Sequence, residues 1–259
     1  MFQKGFSLVE LSIVLVILGL LTGGILGGQN LMRASELRSV TQEINSWQMA
    51  VSTFQDKYFA IPGDMTNAVQ FWGRADDGTF AGDCAAPDTD QGTGTQTCNG
   101  DGDGGVGNAA HERFRFWQHL ANAGLIEGLY TGVGDPGVGD AVIGQNIPRS
   151  KIGGGYYSAW LGELSGNATY FDGSYGNIIH LGMDSAAAWP SAGIVAPEEA
   201  WNIDTKMDDG LPGQGVMQSW KNTSPAPWDS SCSTTDDPAT AEYALSVSQS
   251  CSFMFLMPY

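Results

Sequence analysis

The chain has 259 residues, which leaves room for a membrane anchor and for a globular region with its own core. Its 28 acidic and 11 basic side chains give a formal net charge of -17, which disfavours binding to nucleic acid and makes cations the expected partners. The 36 glycines, beside few lysines and arginines, favour a loop-rich domain with β-structure over a helix bundle.

A membrane-spanning helix is the first predicted element. No charged side chain occurs between Glu10 and Arg33, and the apolar part of this segment is long enough to cross a hydrocarbon core of ~30 Å. A secretory signal peptide is the poorer interpretation, because its apolar core would be shorter and a small-residue cleavage site would follow. We therefore expect a transmembrane segment at about residues 11–32.

The same helix is predicted to continue beyond the membrane. From Leu31 to Tyr58 apolar residues recur every three or four positions, which places one apolar stripe along the helix. Pro62 and Gly63 then break the pattern. One helix within residues 6–61 would thus have a first half that is apolar on all sides and a second half that is amphipathic.

The start of the chain identifies a family resemblance. The sequence MFQKG followed by FSLVELSIVLVILGLL resembles the processing and assembly signal of type IV prepilins and type II secretion pseudopilins. The resemblance implies that residues 1–5 form a leader peptide. It also implies that a prepilin peptidase cuts between Gly5 and Phe6 and methylates the new amino terminus of Phe6.

Glu10 is an unusual residue for its position, because a carboxylate at the edge of an apolar span costs several kcal/mol unless it is paired or reaches water. The resemblance implies that Glu10 neutralises the amino terminus at Phe6 of an adjacent subunit and so sets the register of a filament. The alternative is a carboxylate that reaches the lipid headgroups.

The resemblance also implies the partners and the location. The partners would be other pilin or pseudopilin subunits through the N-terminal helix, a prepilin peptidase, an inner-membrane assembly platform and membrane lipid. The protein would cross the bacterial inner membrane once, with a periplasmic head, before it enters a filament.

The expected function is structural: a subunit of a type IV pilus-like or type II secretion pseudopilus filament. The size of the head favours a minor or specialised subunit. The alternative is a tip-located module that binds a surface or an exported substrate. Nucleotide-binding loops with lysine, G-x-S-x-G and H-E-x-x-H motifs are all missing from the sequence, so we expect no enzymatic activity.

Residues 62–259 are predicted to form one extracytoplasmic head. Short runs rich in aromatic and branched residues lie between glycines from Ile143 onward, as strands between turns do. A short helix is expected to start near Pro197. The predicted fold is therefore α+β, with the long N-terminal helix packed on a loop-rich antiparallel sheet.

Four cysteines fall into two local pairs in the sequence. Three pairings are possible, and no C-x-x-C spacing indicates zinc or redox chemistry. Because an exported domain meets an oxidising compartment, we expect disulfides between Cys84 and Cys98 and between Cys232 and Cys251. Buried free thiols are the alternative.

The segment NGDGDGGV, which begins at Asn99, is the strongest chemical motif of the head. It reproduces the first half of an EF-hand-type calcium loop, with oxygen ligands at alternate positions followed by a glycine and an apolar anchor. The twelfth position is Ala110, so the predicted ligands are Asn99, Asp101, Asp103 and the next carboxylate, Glu112. The alternative is an acidic turn without metal.

Two weaker possibilities concern other side chains. Asp204, Asp208 and Asp209 could form a second cation site or simply a solvated acidic turn. His111 and His119 lack the accompanying Cys or His that a zinc site requires, so we expect them to be surface or interface polar groups and not zinc ligands.

Overall fold

A computed structural model of the protein describes residues 7–76, 83–107, 110–134, 140–185, 189–221, 232–245 and 251–258. The helices are α1 (Leu8–Tyr58), α2 (Ala68–Trp72), α3 (Ala110–Asn122) and α4 (Pro197–Met207). The strands are β1 (Gly155–Trp160), β2 (Glu163–Leu164), β3 (Gly173–Ser174), β4 (Asn177–Gly182), β5 (Met217–Gln218) and β6 (Phe253–Leu256). A long N-terminal helix and an antiparallel sheet domain confirm the predicted α+β class.

Helix α1 begins and ends at recognisable signals. At its start the Ser7 hydroxyl accepts the Val9 N–H at 3.3 Å, and Glu10 Oε2 accepts the Ser7 N–H at 2.9 Å, which together make a capping box. At its end Phe59 adopts the left-handed conformation with φ 54°, and its N–H donates to the Gln55 carbonyl. The helix therefore lies within the predicted residues 6–61 and ends at Tyr58, before Pro62 and Gly63.

The main sheet has four antiparallel strands in the order β1-β4-β6-β5. Its central pair is β4 and β6, where Ile179 lies opposite Phe255. Strands β2 and β3 form a separate two-stranded ladder. Every residue of β4 is buried, because the helices and loops of the head cover both of its faces.

The second half of α1 packs on this head along the stripe that the sequence predicts. Val40, Ile44, Val51 and Phe54 are fully buried. Trp47 makes edge-on ring contacts with Trp117 of α3 and Tyr156 of β1, at centroid distances of 5.4 and 5.9 Å. The shared core therefore ties α1, α3 and the sheet into one unit.

Two disulfides close loops of the head. Cys84 is bonded to Cys98, and Cys232 is bonded to Cys251. These are the two local pairs favoured by the sequence. Each bond restrains a segment with little regular structure of its own, which a small sheet could not hold in place alone.

Candidate functional site

The first half of α1 is an apolar surface that the head does not cover. All side chains from Leu8 to Met32 are exposed, although most of them are aliphatic. Among the described residues this is the one helix long and apolar enough to cross a membrane. Contact between this apolar surface and water is unfavourable, so lipid or other protein must cover it.

Glu10 lies at the N-terminal end of this surface. One of its carboxylate oxygens caps the helix by accepting the Ser7 N–H, and the side chain is otherwise exposed. The positive end of the helix dipole favours a negative charge there. The geometry therefore presents a carboxylate one turn from the predicted amino terminus. Gly5 and Phe6, the predicted processing residues, lie outside the described residues.

An ion pair fixes the head where the apolar half of α1 ends. Arg33 Nε donates to Glu199 Oε1 at 2.6 Å, and Arg33 Nη2 donates to Glu199 Oε2 at 2.8 Å. Glu199 also accepts the Ala196 N–H and so caps α4. The hydrogen bond from Arg33 holds the pKa of Glu199 below its usual range. No local pattern could have revealed this pair, because 166 positions separate its members.

A second candidate site is the acidic loop, which we define as residues 99–107 together with Asp64. One carboxylate oxygen each from Asp64, Asp101 and Asp103 lies within 4.8 Å of the others. The two oxygens of Asp64 accept the N–H groups of Gly102 and Gly104, at 2.6 and 3.0 Å. Backbone amides of the loop thus wrap around the Asp64 carboxylate, which lies on the turn after α1.

Asp101 and Asp103 organise the loop in the same way. Asp101 Oδ1 accepts the Asp103 N–H at 3.0 Å, and Asp103 Oδ1 accepts the Gly105 N–H at 2.8 Å. These side-chain to backbone bonds are Asx turns, which suit a glycine-rich segment. They leave both side chains exposed on the outside of the loop.

The structure brings together two of the four predicted ligands and adds one. Asp101 and Asp103 converge, and Asp64 joins them. The side-chain oxygen Oδ1 of Asn99 instead accepts the Val69 N–H of α2 at 3.0 Å. Glu112 is fully buried and accepts two loop N–H groups, from Asp101 at 2.9 Å and from Gly107 at 3.1 Å. Asp64 gave no sequence signal, since it lies 37 positions before Asp101.

The electrostatics of the acidic loop suit a positive ion. Burial raises the pKa of Glu112 to about 7, and burial also raises the pKa of Asp64. Within the described ranges, no ion pair joins Asp64 or Asp101 to a basic side chain. A group of carboxylate oxygens without nitrogen or sulfur ligands is typical of a site for a hard cation such as calcium.

Ring nitrogens of two histidines contact other groups of the head. His119 Nδ1 accepts the Gly63 N–H at 3.0 Å, so its lone pair is already used. His111 is partly buried and lies 3.3 Å from the exposed Asp88. The prediction of a surface or interface group is wrong for His119, which is fully buried because its ring packs beside those of Phe54 and Trp72.

Comparison with known families gives one match. Residues 1–26 match the family described as the prokaryotic N-terminal methylation motif. Neither curated proteins nor solved structures give a significant match to the chain. The chain therefore carries a prepilin-type methylation motif, consistent with the type IV pilin and pseudopilin family. This motif and the apolar helix fit a structural subunit that is processed by a prepilin peptidase and anchored in the inner membrane.

Proposed function

We propose that this protein is a minor or specialised subunit of a type IV pilus-like or type II secretion pseudopilus filament. The observation that carries the proposal is the division of α1. Its first half follows a methylation motif and has no cover in the protein, while its second half is part of the core of the head. Lipid covers the first half before assembly, and neighbouring subunits cover it afterwards.

Glu10 is the assembly contact in this proposal. Cleavage after Gly5 would create an amino group at Phe6, one helical turn before the Glu10 carboxylate. In a bundle of such helices, the cation of one subunit can pair with the carboxylate of the next, which removes the cost of both charges in an apolar surrounding. The contact is specific for one axial register, because the remaining side chains of the surface are uncharged.

The head faces the periplasm and, after assembly, the outside of the filament. Its acidic loop binds a calcium ion through Asp64, Asp101 and Asp103. Glu112 holds the loop through two of its backbone N–H groups, and the Asn99 side chain links the loop to α2. The strong negative charge makes nucleic acid an unsuitable ligand of the head.

The proposal is tested in a bacterium that expresses the full chain with a prepilin peptidase and an assembly system. Sheared filaments are examined by electron microscopy and their subunits are counted by mass spectrometry. We expect wild-type protein in the filaments at low abundance. Glu10→Ala should remain in the membrane fraction but be lost from filaments by on the order of tenfold or more, since a contact of ~2 kcal/mol is removed at every subunit.

The matched control is Glu36→Ala, which removes another carboxylate of α1 whose main contact is a partly exposed pair with Arg33. It should enter filaments normally. Incorporation of Glu10→Ala at the wild-type level would contradict the role of Glu10. A protein that dominates the shaft would contradict the minor role, and one found only at filament ends would favour the tip-located binding module.

A further inference from the structure

A second group of carboxylates lies at the turn between α4 and β5, far in sequence from the acidic loop. One oxygen each from Asp204, Asp208 and Asp209 lies within 4.8 Å of the others. Among the described residues no basic side chain forms an ion pair with any of them. Three negative charges at this spacing repel one another unless a proton or a cation compensates.

Asp204 distinguishes this group from an ordinary acidic turn. It lies on the last turn of α4 with no exposed surface. Its Oδ2 accepts the Tyr243 hydroxyl hydrogen at 2.8 Å, but its Oδ1 is buried without a hydrogen-bond partner. The Gly210 N–H lies near this carboxylate but completes no hydrogen bond to Oδ1. A buried carboxylate oxygen without a partner costs free energy that the fold must recover elsewhere.

The other two carboxylates are each half used by the backbone. Asp208 Oδ2 accepts the N–H groups of Val216 and Met217 at the start of β5. Asp209 Oδ1 accepts the Leu211 N–H at 2.8 Å. In each of the three carboxylates one oxygen thus accepts a hydrogen bond from a protein donor.

The chain also approaches Asp208 more closely than a side chain would permit. A Cβ atom on Gly215 would lie 1.8 Å from Asp208 Oδ2, and Gly215 has a φ of 71°. Only glycine therefore allows the backbone to reach this carboxylate. Asp209 is exposed and Asp208 is half-buried, so the group opens to solvent on one side.

We propose that Asp204, Asp208 and Asp209 form a binding site for a divalent hard cation of the calcium class. The buried Oδ1 of Asp204 is the innermost ligand, and the carboxylates of Asp208 and Asp209 close the site on its solvent side. Water molecules complete the coordination, as calcium requires six to eight oxygen ligands. The site does not depend on the filament role of the protein.

Charge balance favours a cation over a shared proton at this group of carboxylates. A cation removes the repulsion among all three groups, whereas one proton removes the charge of a single group. Oxygen ligands alone, on an irregular turn, fit calcium better than zinc or magnesium.

The experiment counts calcium ions bound to the full chain in detergent micelles by equilibrium dialysis at neutral pH. Asp204→Asn, which keeps the shape of the side chain, should bind one calcium ion fewer per chain than wild type. Asp209→Asn changes an exposed residue and should fold normally, and it should weaken one class of sites by on the order of tenfold. The matched control is Asp56→Asn on the exposed face of α1, which should bind as wild type does.

The variants distinguish the two proposed cation sites in the binding experiment. Asp101→Asn should remove a different calcium ion, so the losses in Asp101→Asn and Asp204→Asn should add in the double variant. If wild type binds one ion and Asp204→Asn binds none, this site stands and the acidic loop does not bind calcium. Wild-type calcium binding in both Asp204→Asn and Asp209→Asn would overturn the inference.

Discussion

Lowering the pH from 7 to 5 should destabilise the head through His119, and the variant His119→Asn should isolate the effect. His119 is fully buried, and its ring packs beside the rings of Phe54 and Trp72. Its Nδ1 accepts the Gly63 N–H, so the ring hydrogen lies on Nε2, 3.0 Å from Thr97 Oγ1. Protonation would add a hydrogen to Nδ1, where it would point at the Gly63 N–H, so that two donors would face each other. No rotation of the ring would remove this conflict.

The magnitude follows from the difference between the folded and unfolded states. Burial, with a smaller contribution from the charge of Arg115, lowers the pKa of His119 to about 3. The unfolded chain has an ordinary histidine pKa of ~6.5, so it binds a proton in this range while the native state does not. The stability due to neutral His119 is thus present above pH 6.5 and is lost as the pH falls towards 3. Between pH 7 and pH 5 the loss is about 2 kcal/mol.

Other groups titrate in the same range, so the comparison between variants is essential. The pKa of Glu112 and that of Asp204 are both raised to about 7, and each contributes stability that is present at low pH and lost as the pH rises through 7. His180, whose pKa burial lowers to about 3, acts in the same direction as His119. These contributions are common to wild type and His119→Asn and cancel in the difference.

The assay is guanidinium unfolding of the full chain in detergent micelles, followed by tryptophan fluorescence in the presence of EDTA. At pH 7 His119→Asn should be less stable than wild type by ~1–3 kcal/mol, because ring packing and one hydrogen bond are lost. At pH 5 this deficit should shrink by about 2 kcal/mol. His111→Asn is the control, since that ring is only partly buried and contacts the exposed Asp88. An unchanged deficit at the two pH values would refute the neutral buried imidazole.

Three further perturbations test contacts that join separate parts of the molecule. Replacing Cys232 and Cys251 by serine should lower the free energy of unfolding by about 3 kcal/mol, measured by denaturant titration, because a loop of 19 residues is released; wild-type stability would contradict this. Arg33→Ala should lower the free energy of unfolding by about 1 kcal/mol, because the pair with Glu199 is partly exposed, and it should speed amide exchange at the start of α4. Arg33→Lys should lose less stability, and equal exchange rates in wild type and both variants would contradict the contact. Asp101→Asn should reduce the rise in melting temperature at millimolar calcium, and an absence of any rise in wild type would exclude the calcium site.

The long helix was predictable from the sequence because its signals are local. Apolar runs and three-to-four residue spacing depend only on neighbours along one helix, so the stripe from Val40 to Phe54 follows directly. The disulfide pairs were predictable for a related reason, since each cysteine lies within 20 positions of its partner. The end of α1 at Tyr58 was also predictable, because Pro62 and Gly63 break the helical pattern just after it.

The acidic loop was predictable only in part. The spacing of Asp101 and Asp103 identified the loop itself. Asp64 was missed as a member because it reaches the loop from the turn after α1. Asn99 and Glu112, which were predicted as ligands, accept hydrogen bonds from backbone N–H groups in the structure. Long-range contacts of this kind arise from the packing of α1, α2 and α3 and leave no trace in the local sequence.

The acidic composition and the high glycine content are connected through the loops of the head. Loops expose backbone N–H groups that no strand or helix satisfies, and such groups need acceptors when they are buried. Asp64, Glu112 and Asp208 each accept two of them. Glycine lets the backbone approach these carboxylates, as Gly215 does at Asp208. The carboxylates thus take the place of regular secondary structure, and the charge that this leaves uncompensated is what a bound cation would neutralise.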